Sequence, residues 1–180
     1  MTTLSSTLDI HSEYKLSEEQ IQSFRCDGFI KLKNVLSPEV LEYYGKEITA
    51  KVKELNTEER PMETRDTYAK AFLQIMNLWC HSEIVKEFIL GNRLGRIASQ
   101  LLGTKGVKIY HDQALYKEPG GGFTPWHVDQ HYWPLETEKT VTAWIPLQAI
   151  PMELGPLEFS VGSQKIIKGR DLAISDDSER

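Results

Sequence analysis

The densest run of chemistry-bearing side chains is Trp126-His127-Val128-Asp129-Gln130-His131-Tyr132-Trp133. A histidine and an aspartate two residues apart on a strand project from the same face. From there a neutral imidazole and a carboxylate can reach one metal ion. Two histidines and one carboxylate on one triangular face leave open positions, an arrangement suited to iron(II) that activates oxygen. The carboxylate offsets part of the metal charge, and the open positions admit a co-substrate and oxygen. His127 and Asp129 are therefore the candidate metal ligands.

His-x-Asp alone is a weak signal, because three-residue patterns arise by chance and most such histidines are ordinary polar residues. Context adds weight. Residues 118–125 hold three glycines and two prolines, so a loop precedes the pair, and an aromatic cluster and a strand follow it. His131 lies on the same face by alternation. On a straight strand it would sit roughly 13 Å from His127, too far for neighbouring positions on one metal. It is assigned to the substrate pocket or to the surroundings of the ligands, with an ordinary hydrogen-bonded histidine as the equal alternative.

The elements that must hold this segment fall into two halves. Ser17-Glu18-Glu19-Gln20 is a capping-box pattern that starts a helix, with Ile21 and Phe24 as its buried stripe and Gly28 as its stop. Residues 29–33 fit a short strand. Ser37-Pro38-Glu39 starts a second helix, continued by Val40, Leu41, Tyr44, Ile48, Val52 and Leu55 at helical spacing. Residues 56–65 are polar and carry Pro61, so a loop is expected. Residues 68–79 are ambiguous between helix and extended chain. Residues 82–90 and 92–102 read as two short helices, the second ended by Gly103. From Val107 the period changes to two, predicting strands over 107–116, 140–147 and 157–161. A helical front and a β-rich back give the α+β class.

The 180 residues suit one domain, read as a flexible N-terminal stretch 1–15 and a domain 16–180. A net charge of −5 and a pI near 5.6 argue against nucleic acid as a partner. No apolar run approaches the roughly 20 residues of a membrane helix, and residues 1–9 are not a signal peptide. Cys26 and Cys80 lack metal-ligand spacing and are expected to be buried small side chains. Two isolated thiols suit a reducing compartment, so the expected location is cytoplasmic.

Several segments occur in a telling order. They are Gln113-Ala-Leu-Tyr-Lys117-Glu-Pro119-Gly120, then residues 126–133, then Thr142-Ala143-Trp144-Ile145-Pro146-Leu147. Gly155-Pro156-Leu157-Glu158-Phe159 and Gly162-Ser163-Gln164-Lys165 follow, and Asp27-Gly28-Phe29-Ile30 opens the series behind a helix. In this order they resemble the phytanoyl-CoA dioxygenase family, from about residue 16 to residue 168. The resemblance implies a double-stranded β-helix core, jelly-roll or cupin-like, braced by N-terminal helices. It implies Fe(II) and 2-oxoglutarate as cofactor and co-substrate, with oxygen and a small-molecule substrate as partners. It matches His127 and Asp129 to the first two metal ligands. Gln113 and Trp144 match contacts of 2-oxoglutarate, and Lys117 matches a basic residue near it. Against these stand ordinary readings, Trp144 as core and Lys117 as a solvated loop residue. Relatives that halogenate carry a small residue in place of the carboxylate, so Asp129 favours hydroxylation.

The sequence also departs from the family. Leu154 and Gln164 stand where asparagine and histidine are common, at a turn and a loop. More seriously, none of the five histidines lies beyond His131, where the family has its third ligand. Arg170 and Arg180 are the later arginines, and neither follows such a histidine. Two strands after Trp133 are too few for a jelly roll of about eight. The expectation is a C-terminally incomplete fragment; a site completed by another chain and a degenerate protein are the alternatives. In function the rivals are a catalytically inactive binding or scaffold protein and a cupin-type metal enzyme that needs no 2-oxoglutarate.

Overall fold

The computed structural model describes residues 8–166 and 171–178. Arg170 and Arg180 lie outside the described residues. The chain is α+β, with helices α1 (Glu18–Asp27), α2 (Pro38–Leu55), α3 (Thr67–Ala71), α4 (Glu83–Ile89) and α5 (Asn92–Leu102). Strands β1 (Leu73–Met76) and β2 (Gln113–Tyr116) form one antiparallel pair.

The helix ends follow local chemistry. Ser17 Oγ accepts from the Gln20 backbone N–H, and Gln20 Oε1 accepts from the Ser17 N–H, closing the capping box. Gly28 ends α1 in the left-handed region at φ 88°. A β-carbon there would strike the Gln164 side chain. That close approach joins two distant segments: Gly162 N–H donates to Asp27 O at 2.8 Å, and Lys165 Nζ donates to Cys26 O at 2.9 Å. Ser37 caps α2 and Pro38 occupies its first turn.

Val40, Tyr44, Ile48 and Val52 form the buried stripe of α2, one residue per turn. With Ile10, Leu78, Val85 and Phe88 they make the core. Leu73, Ile75, Ala114 and Tyr116 pack one face of the β pair against that core, and Ile145 and Leu147 join from the later chain. Alternation leaves Gln74, Met76, Gln113 and Leu115 on the opposite, open face.

Several expectations differ from what is found. Residues 8–15, placed above in the flexible stretch, are packed: Ile10 is buried in the core, and Arg93 binds the Asp9 carboxylate at 2.6 Å. Cys26 and Cys80 are exposed free thiols, not buried ones. Residues 68–79 resolve into α3, β1 and a 3-10 turn at Leu78–Cys80. Of the strand expected over 107–116, Gln113–Tyr116 alone is paired, because β1 offers four partners. Residues 29–33, 140–147 and 157–161 form no strand; a suitable alternation still needs a neighbouring backbone to bond with.

Candidate metal centre

The His127–Asp129 pair is built on a bend rather than a strand. Val128 is extended, and Asp129–Tyr132 then turns as a 3-10 helix. The straight-strand distance used above for His131 therefore does not apply. His127 Nε2 and Asp129 Oδ1 nevertheless face each other at 3.4 Å.

The outward atoms of both side chains are tied back. His127 Nδ1 lies 2.8 Å from the Pro125 carbonyl, which only accepts, so Nδ1–H donates there. Asp129 Oδ2 accepts from Thr142 Oγ1 at 3.1 Å. Nε2 and Oδ1 are thus the two atoms aimed into a common space. Anchoring of this kind fixes the tautomer and orientation of metal ligands. The pair is also electrostatically coupled. The hydrogen bond with Asp129 holds the His127 pKa above its ordinary value, against burial. The hydrogen bond with His127 holds Asp129 below the usual carboxylate range, again against burial.

One imidazole nitrogen and one carboxylate oxygen suit iron(II). Among the described residues, no group of three His, Cys, Asp or Glu side chains is placed to hold a metal. One imidazole and one carboxylate are the donor types that two positions of a facial triad would use.

The other candidates make contacts of their own. Gln113 is exposed at the start of β2, and its Oε1 accepts from Gln74 Nε2. Lys117 Nζ donates to Gly122 O at 2.9 Å and Thr124 Oγ1 at 3.3 Å, holding the loop that leads to His127. Burial pushes its pKa down. Trp144 is exposed. His131 is exposed and meets Tyr132 edge-on at 4.8 Å between ring centroids. The Tyr132 hydroxyl accepts from Ile174 N–H at 2.7 Å.

Sequence reasoning assigned no role to Thr142, Gln74 or His111. Thr142 stands inside a motif already quoted. His111 precedes Gln113 by two in the same alternation; it lies close enough to Asp129 to help hold that carboxyl down, and among the described residues its Nδ1 is buried without a hydrogen-bond partner. Gln74 had no signal, being in the ambiguous 68–79 segment.

No curated protein and no solved structure matches the chain. A family model described as phytanoyl-CoA dioxygenase (PhyH) matches residues 24–180, which span the His127–Asp129 pair and, among the described residues, β1, β2 and α1 to α5 in whole or part. The chain belongs to the phytanoyl-CoA dioxygenase family, a family of iron(II)- and 2-oxoglutarate-dependent oxygenases.

Proposed function

We propose that the chain carries the iron(II) and 2-oxoglutarate site of a dioxygenase that hydroxylates a small molecule. The observation that carries this reading is the convergence of His127 Nε2 and Asp129 Oδ1, each anchored from behind. When bound, iron(II) and 2-oxoglutarate supply the oxidising chemistry. The protein's part is to position and to exclude. Pro125 keeps the His127 proton on Nδ1, leaving Nε2 as the donor atom. Thr142 holds Asp129 so that Oδ1 faces the same point. Because the hydrogen bond between the pair raises the proton affinity of His127, acid would compete with a metal held there. Gln113 and Trp144 are read as contacts of 2-oxoglutarate, with Lys117 nearby and His131 toward the substrate. The open face of the β pair is read as inner wall of a double-stranded β-helix.

The test is an iron(II) titration combined with measurement of succinate formed from 2-oxoglutarate. With a third ligand and an arginine for 2-oxoglutarate in place, the protein is expected to bind iron and release succinate in proportion. Asp129→Ala is expected to lose both; unchanged iron affinity in that variant removes Asp129 from the site. The second reading, a catalytically inactive binding protein, is favoured by the two-donor centre among the described residues. Iron binding without succinate release selects it.

A further inference from the structure

Three polar side chains form a line beside the open face of the β pair. The Tyr68 hydroxyl donates to Gln74 Oε1 at 2.8 Å. Gln74 Nε2 in turn donates to Gln113 Oε1. Gln74 is paired with Leu115, and Gln113 with Met76, so the two amides are diagonal neighbours on one face. Tyr68 and Gln74 are half-buried, whereas Gln113 is exposed. A primary amide has an acceptor end and a donor end. Gln113 engages its acceptor end with Gln74, which leaves the NH2 group of this exposed side chain outside the line of bonds.

We propose that Tyr68 and Gln74 are positioning residues that set which end of the Gln113 amide is presented, making Gln113 a donor for a carboxylate. The inference rests on the reading of Gln113 as a contact of 2-oxoglutarate, which is a dicarboxylate. The line of bonds has two self-consistent directions, because a phenol oxygen also accepts. The reverse direction would turn the Gln113 carbonyl outward, where it repels an anion. The direction found is the one a carboxylate requires.

The experiment is calorimetric binding of 2-oxoglutarate to the iron-loaded chain. It compares wild type, Gln74→Glu, Gln113→Ala, the double variant Gln74→Glu/Gln113→Ala, and Tyr68→Phe. A carboxylate at position 74 only accepts, so it draws in the Gln113 NH2 and turns the carbonyl outward. Gln74→Glu is expected to weaken binding about tenfold, the scale of one charge-assisted hydrogen bond. In the Gln113→Ala background it is expected to cause no further loss. Simple repulsion by the added charge would persist there, and that outcome overturns the proposal. Tyr68→Phe, which deletes one hydroxyl, is expected to weaken binding about threefold with iron affinity unchanged. Wild-type affinity in both Gln74→Glu and Tyr68→Phe overturns the inference. Wild-type affinity in Gln113→Ala overturns the reading of Gln113 on which it rests.

Discussion

Thr142 Oγ1 donates to Asp129 Oδ2 at 3.1 Å, linking the candidate ligand to a segment thirteen residues further along the chain. Ile145 and Leu147 of that segment pack on the helical core, so the hydroxyl is carried by an anchored backbone. The carboxylate is thereby held with Oδ1 toward His127. Thr142→Val keeps the shape and removes the bond. It is expected to weaken iron(II) binding about tenfold, the lower end for an outer hydrogen bond at a metal site. Thr142→Ser is expected to retain near wild-type affinity. Competition with a chelator of known affinity measures both, and an unchanged valine variant would detach Thr142 from the site.

Asp112 holds the turn that follows β1. Its carboxylate accepts from the N–H groups of Leu78 at 3.1 Å and Trp79 at 3.3 Å, and its carbonyl accepts from Asn77 at 2.9 Å. Asn77 is in the left-handed region at φ 56°, which few residues adopt without support. Leu78, delivered by this turn, is buried in the core. Asp112→Ala strands two part-buried donors and is expected to cost about 1–3 kcal/mol of stability. Urea unfolding of both proteins gives the difference directly; equal midpoints would show the turn to be held by packing instead.

The loop after α2 makes stability depend on acid. The guanidinium and backbone N–H of Arg60 bind the Glu58 carboxylate and hold its pKa down at about 2. A carboxylate with a lowered folded-state pKa adds stability that is complete above its ordinary value of 4.5. That contribution is lost as pH falls from there through about 2. The melting temperature of wild type is thus expected to exceed that of Glu58→Gln near neutral pH, with the gap closing below 4.5. Solvent and salt screen the pair, so the gap is small and shrinks further at high ionic strength. A gap independent of pH would show that the substitution acts through something other than charge.

Local signals carried far in the front half and less far in the back. The capping box at Ser17, the proline at the head of α2 and the glycines ending α1 and α5 appear as the sequence implied. Each depends on residues within four positions of one another. The strands depend on partners elsewhere. Alternation was present over residues 140–147, yet no described backbone pairs with it. At the site, the residue types and spacing of His127 and Asp129 were legible, but the conformation that joins them was not. A strand was expected, and an extended residue leading into a 3-10 turn is found.

The amino-acid sequence by itself determined the approximate bounds of α1, α2, α4 and α5, the α2 stripe and the order of motifs that placed the chain in its family, because these are properties of neighbours along the chain. The tertiary structure alone decided that Thr142 reaches Asp129, that Gln74 meets Gln113, and that residues 8–15 pack against Arg93. Those relationships are hydrogen bonds and contacts between distant segments. They exist only once burial of the core has brought the segments together, and no spacing within a segment encodes them.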